Sequence, residues 1–278
     1  MVTLLKTGDS GLIESHVIDT LLNSALNAIG LEDVPLRLMD TVTLTVSAVN
    51  LKFVLESLKN NGVQTSLKKT LARLHAPVYK RRLQELVRCV APHLRKNDLV
   101  LDVGCGSGAL GKAILESPLC PPGVRIKGLE RGRRDRGLIE IDSYDGTTIP
   151  YADASHDVVI LADVLHHEQE PDRLFLETVR VAKRLIIIKD HQRKGPLAQQ
   201  RISLLDWAAN HPYGVHCTFR YNTPTQWAEF HRRHGLILIE ERQAMDLYPW
   251  GLNLLFGRKL QYLAVLDTTR AKPETRLQ

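Results

Sequence analysis

The run V-L-D-V-G-C-G-S-G at residues 100–108 leaves this chain few ways to fold. Val100 to Val103 is an apolar stretch suited to a strand buried on both faces. Glycines at 104, 106 and 108 end it, and Leu110 to Leu115 then continues at helical spacing. The pattern predicts a strand, a tight loop and the start of a helix. Glycines in such a loop let the backbone turn sharply and let a ligand approach main-chain N–H groups.

Two ligand classes use a loop of this kind. Gly106-Ser107-Gly108-Ala109-Leu110-Gly111 is literally G-x-G-x-x-G, and Glu130 follows at the distance of a ribose-binding carboxylate in a dinucleotide fold. Asp102 tilts the choice. A carboxylate two residues before the first glycine repels an anionic pyrophosphate and attracts a ligand that carries an ammonium and a sulfonium. S-adenosylmethionine has both cations and no phosphate.

Further motifs stand in a fixed order: G-L-E ending at Glu130, D-G-T-T-I-P-Y-A-D-A-S-H-D-V-V at 145–159, L-A-D-V-L-H-H at 161–167 and E-T-V-R-V-A-K-R-L-I-I-I-K-D-H at 177–191. With the glycine loop, the stretch from Val78 to Leu266 resembles the class I S-adenosylmethionine-dependent methyltransferases, within them the methyltransferase type 11 group. The resemblance implies an α/β fold: a doubly wound, mostly parallel seven-stranded sheet of Rossmann-like type. It implies S-adenosyl-L-methionine as cofactor, held by Asp102, Gly104, Gly106, Gly108, Glu130, Asp145, Gly146 and Asp163. Glu130 would take the ribose hydroxyls, Asp145 and Gly146 would lie near the adenine, and Asp163 would border the methionine part. His166 and His167 would face the transferable methyl. A histidine there suits proton removal near neutral pH, which makes His166 one candidate base. His191, beside Asp190 at the same sheet edge, is its rival.

Two departures from the family pattern stand out. Arg131 to Gly137 is too short for the helical crossover expected between parallel strands, so either the helix shrinks to a turn or strand three, read over Ile139 to Ser143, lies elsewhere. No Pro-Gly-Gly turn separates Val181-Ala182-Lys183-Arg184 from the fifth strand, so that connection must be tight. The basic residues Arg131, Arg133, Arg134 and Arg136 lie beside the expected cofactor edge, as an anion contact or as exposed surface.

Outside the core motifs, residues 1–75 read as a helical N-terminal extension, because Ile13, Val17, Leu21, Leu22 and Ile29 recur at helical spacing. It is either a lid over the substrate or a packing and homodimerising element. The methyltransferase domain runs over 76–267, with an insertion at 191–224 that does not read as sheet. Trp207 and Tyr213 in that insertion are candidate pocket walls, and His167 is a candidate substrate contact. Residues 268–278 form a polar tail.

Composition narrows the class. The 278 residues suffice for one α/β domain plus an extension, and the net charge of +6 is compatible with an anionic partner without requiring one. Four scattered cysteines, with no C-x-x-C pair, suggest neither a disulfide framework nor a zinc site, and no metal is expected. No secretory signal and no twenty-residue apolar run are present, so the expectation is a cytoplasmic protein without membrane contact. The resulting expectation is methyl transfer to the oxygen, nitrogen or carbon of a small-molecule acceptor. A nucleic-acid (RNA) methyltransferase is the alternative, disfavoured because strand four ends in A-D-V-L-H-H rather than N-P-P-Y and because aromatic residues for base stacking are few. A non-catalytic cofactor-binding scaffold and an NAD(P)-dependent oxidoreductase complete the set.

Overall fold

Alternate residues of the apolar strands point to opposite sides of the sheet, and this explains why the strands read as unbroken hydrophobic runs. In the computed structural model, which describes residues 78–131, 137–210 and 217–269, Val100, Val158, Ile160, Leu185 and Ile187 enter one core. Their neighbours Leu101, Val103, Val159, Leu161, Ile186 and Ile188 enter the other. Helix α1 (residues 78–90) and helix α2 (Ala109–Leu115) cover the first face through Leu86, Val90, Leu110 and Ile114. Helix α3 (Pro171–Val181) and helix α5 (Pro224–His234) cover the second through Phe175, Trp227 and Phe230.

The seven strands are β1 (Leu99–Val103), β2 (Arg125–Arg131), β3 (Ile141–Tyr144), β4 (His156–Ala162), β5 (Ala182–His191), β6 (Ile237–Arg242) and β7 (Gln261–Asp267). Their order is β3-β2-β1-β4-β5-β7-β6. All pairings from β3 to β5 are parallel, and β7 runs antiparallel to both β5 and β6. This is the expected doubly wound sheet, with its turn of direction beside β1 and β4. Helix α4 (Ala198–Asn210) fills the segment after β5, and helix α6 (Trp250–Phe256) lies between β6 and β7. No helix among the described residues is long and apolar enough to cross a membrane.

The two departures resolve differently. Strand β3 begins at Ile141, two residues later than the apolar pattern suggests, and pairs in parallel with β2 from Gly128↔Ile141 to Arg131↔Tyr144. Residues 137–140 hold no helix; instead the Leu138 N–H bonds to the Ser107 carbonyl at 2.8 Å, so the short connection packs on the glycine loop. At the other end α3 stops at Val181 and β5 starts at Ala182. Arg180 secures that junction by donating to the carbonyls of Ile149 and Tyr151 at 2.8 and 2.7 Å. Strand β5 also runs on through Lys189, Asp190 and His191, which places all three within the sheet. The helical N-terminal extension, Arg133, Arg134, Arg136, Tyr213 and residues 270–278 lie outside the described residues.

Candidate functional site

At the carboxyl end of β1 the chain turns through Gly104, Gly106 and Gly108 with φ of +66°, +59° and +77°, a region costly for residues with a Cβ. Packing requires two of them to be glycine. A Cβ on Gly104 would lie 2.6 Å from Val164 Cγ2, and one on Gly108 would lie 2.5 Å from Ile139 Cγ1. At Gly106 nothing lies within 4 Å, so the backbone there faces open space. Glu130, near the end of β2, accepts from the Gly106 N–H at 2.6 Å and from the Arg131 N–H at 2.9 Å.

Asp102 lies inside the end of β1, 2% exposed, and its Oδ2 has no hydrogen-bond partner among the described residues. Burial, and then the charge of Glu130, raise its pKa to about 7. A buried carboxylate with an unmatched oxygen, next to an open glycine and a second carboxylate, suits a ligand that brings its own positive charge. The residues present therefore fit S-adenosylmethionine: Asp102 for a cationic group, Glu130 for hydroxyls, and the loop backbone for close approach.

Asp145 and Gly146 sit on the loop after β3. Asp145 Oδ1 accepts the N–H groups of Thr147 and Thr148 at 2.7 and 2.8 Å, and these bonds lower its pKa to about 2. Its carboxylate thus shapes its own turn. The Gly146 carbonyl accepts from Arg131 Nη2 at 3.0 Å, and the same guanidinium bonds to Glu168. Arg131, the one arginine of the basic run that is described, ties the end of β2 to the loops after β3 and β4.

Beyond β4 and β5 lies a cluster that the motifs only partly indicate. Asp163, with a left-handed φ of +58°, bonds through its carboxylate to Lys189 Nζ at 2.5 Å and to Arg82 of α1. Burial alone would raise its pKa, but Lys189 and Arg82 outweigh burial and hold it well below the usual carboxylate range. Asp163 is thus matched by two cations of the chain itself. His166, in a 3-10 turn Leu165–His167, bonds through Nδ1 to Asp190 Oδ1 at 2.6 Å, and its Nε2 lies 3.7 Å from Asp206 Oδ1 of α4. Burial opposes its charge, but Asp190 and Asp206 prevail and raise its pKa to about 10. His191, its ring 5.2 Å from that of His166, is driven the other way: burial and the Lys189 charge lower it to about 3. His167 Nε2 lies 3.7 Å from the same Asp206 oxygen, and Asp206 Oδ2 accepts from the Tyr221 hydroxyl at 2.6 Å.

Two cavities flank this cluster. One of about 270 Å³ is walled by Leu165, His166, Asp190, Asn222, Trp227 and Phe230, among others. The second, of about 300 Å³, is bounded by Arg131, Gly146, Thr147, His167, Glu168 and Thr218, among others. Trp207 is half-buried on α4 and lines neither. The structure therefore joins Asp102, the glycine loop and Glu130 in one group, and His166, His167, His191 and Asp163 in another. Sequence reasoning missed Arg82, Lys189, Asp206 and Tyr221, which arrive from four separate segments. The buried position of Lys189 between Ile188 and Asp190 was the one available signal, since a lysine inside an apolar strand needs a partner.

Residues 101–185 match the family model described as a methyltransferase domain. Comparison with curated proteins yields no match. Among solved structures, the complex between the Trm112 methyltransferase activator of Haloferax volcanii and its candidate methyltransferase aligns with a TM-score of 0.50 and 17% identity, covering 73% of this chain and 94% of that one. The 1,6-didemethyltoxoflavin-N1-methyltransferase of Burkholderia thailandensis, solved with 1,6-didemethyltoxoflavin and S-adenosylhomocysteine, aligns with a TM-score of 0.48 and 12% identity over 67% and 77% of the two chains. At these identities the likeness concerns the fold. The segment matched by the family model holds the glycine loop, Glu130 and the turn after β4, and over these residues the chain is similar to a methyltransferase domain. Methyl transfer with S-adenosylmethionine as the donor is the activity that this domain match supports.

Proposed function

We propose that this methyltransferase modifies a small-molecule acceptor at the carboxyl ends of β4 and β5. The cavity of about 270 Å³ beside His166 supports the reading. It is of a size for a compact ligand, and its walls combine aromatic side chains with a few charged groups, the usual make-up of a small-molecule site.

Asp102 holds the cationic amino-acid end of the cofactor, Glu130 its ribose hydroxyls, and Gly106 allows close approach of the backbone. When bound, S-adenosylmethionine supplies a sulfonium methyl group. The chain's own contribution is alignment and exclusion of water: Trp227 and Phe230 wall the acceptor cavity, and His166 stands at its edge, fixed by Asp190. Of the two candidate bases, His166 already holds a proton between two carboxylates, whereas His191 is neutral. A group lowered to about 3 is a weak base, so positioning carries more of the rate than proton removal.

The test is a transfer assay with methyl-labelled cofactor, run in parallel on a low-molecular-mass extract, total RNA and a protein fraction. Label in the low-mass fraction is expected. Label confined to RNA or protein would replace the small acceptor by a macromolecular one.

A further inference from the structure

Helix α6 (Trp250–Phe256) reverses the usual order of inside and outside. In α5 the apolar Trp227 and Phe230 enter the core, whereas in α6 the buried residue is the polar Asn253, 5% exposed. Its side chain donates to Asp246 and accepts from the Tyr248 N–H at 3.4 Å, which fastens the helix to the loop after β6. Trp250 is 80% exposed, and Leu252, Leu254 and Leu255 are exposed with it. At 3.6 residues per turn these four and Gly251 fill an arc of about 200°, and the helix carries no charge to interrupt it. Contiguous apolar surface of this kind marks contact with something other than water. We infer that α6 and its basic flank form a docking surface for the anionic face of a lipid bilayer.

Charge selects that occupant. Arg258, with a side chain 55% exposed, and the exposed Lys259 follow the helix directly. Arg201 of α4 donates to the Leu255 and Leu254 carbonyls at 2.6 and 2.9 Å, so a third cation stands at the helix C-terminal end. Leu204, three positions further along the same face of α4, adds an exposed apolar side chain beside it. Asp246, the carboxylate bonded to Asn253, lies 3.7 Å from Arg258 and is offset by it. Tryptophan and leucine entering the acyl boundary, with arginine and lysine at the headgroups, are the parts of an anchor that lies in a membrane surface. A second copy of this chain on the same face would instead bring Arg258 and Lys259 toward their own counterparts, and like charges oppose that contact.

The net charge of +6 acts in the same direction. That no described helix is long and apolar enough to cross a membrane bears on spanning a bilayer and not on lying in its surface. The surface is separate from the cavities beside His166, so it stands independently of the acceptor reading.

The experiment sediments the full chain with vesicles of phosphatidylcholine alone, or of phosphatidylcholine mixed with phosphatidylglycerol. Binding to the anionic vesicles is expected, weakened by high salt, with little binding to the neutral ones. Tryptophan emission should shift to the blue on the anionic vesicles, and Trp250→Phe should abolish most of that shift, since Trp227 is already buried in the core. Trp250→Ser combined with Leu254→Ser should weaken binding at least roughly tenfold. Arg258→Gln combined with Lys259→Gln should weaken it roughly 25-fold, about fivefold for each cation lost. Circular dichroism checks the fold of both pairs, and either pair decides the matter if the other does not fold. No sedimentation with anionic vesicles, equal binding to both kinds, or undiminished binding by a folded Trp250→Ser/Leu254→Ser variant overturns the inference. Self-association that this variant abolishes, without vesicle binding, would overturn it as well and give the face to a second copy. None of these readouts depends on transfer activity, so a failed acceptor assay and a failed vesicle assay are separable.

Discussion

Asp102 sets function against stability within one side chain. The folded protein keeps its proton to about pH 7, while the carboxyl ordinarily releases it near 3.8. Between those values the folded chain binds more protons than the unfolded chain, so this group's effect is to lower stability as pH rises from about 4 to 7. Asp102→Asn removes the penalty. The cofactor-free variant should be more stable than the wild type at pH 8, by a few kcal/mol and ~4 at most, and the gain should vanish near pH 4. Denaturant melts at the two pH values check this; equal stability at pH 8 would mean that the carboxylate is matched in solution. The glycines make a second residue-level prediction. Gly106→Ala meets no atom within 4 Å, so it should cost only about 1–2 kcal/mol for its left-handed φ while weakening cofactor binding. Gly104→Ala adds a collision with Val164 and should lower the melting temperature further than Gly106→Ala does.

At the scale of elements, helix α5 shows how a local signal fixes a distant wall. Thr223 Oγ1 accepts the Gln226 N–H at 3.2 Å and Gln226 Oε1 accepts the Thr223 N–H at 2.8 Å. This capping box, with Pro224 in the first turn, starts the helix that brings Trp227 and Phe230 to the sheet. Thr223→Ala should cost about 1 kcal/mol and lower the melting temperature by about 2–4 °C, read by calorimetric scanning. Other elements were legible in the chain because they are local: the glycine loop and the apolar strands each lie within a dozen residues. The bounds of β3 were less so. Ile139 looks like the strand's first residue, but its side chain packs against Gly108 and Gly111, and pairing with β2 begins only at Ile141. Helix α6 also escaped notice, because Trp250–Phe256 is short and four of its residues, Trp250, Leu252, Leu254 and Leu255, are exposed apolar side chains with no clean helical stripe.

For the whole molecule, the sheet order β3-β2-β1-β4-β5-β7-β6 brings the ends of β1, β2, β4 and β5 to one edge, and ligand sites of open α/β sheets lie at such an edge. The proposed cofactor side of the site is a local pattern, because Asp102, the glycines and Glu130 fall within thirty residues and keep a known spacing. The rest could not. Arg82, Lys189, Asp206 and Tyr221 meet through tertiary packing across well over a hundred residues, and nothing local in the sequence states which cation faces Asp163 or which carboxylate faces His167. The central claim is that Asp102 and Glu130 hold S-adenosylmethionine at the glycine loop. It is tested most directly by calorimetric titration of the wild type, Asp102→Asn and Glu130→Ala with S-adenosylmethionine and S-adenosylhomocysteine. Micromolar binding by the wild type, weakened on the order of 10–100-fold in each variant as charge-assisted hydrogen bonds are lost, is the predicted result. Undiminished binding by both folded variants would contradict it and place the cofactor elsewhere on the chain.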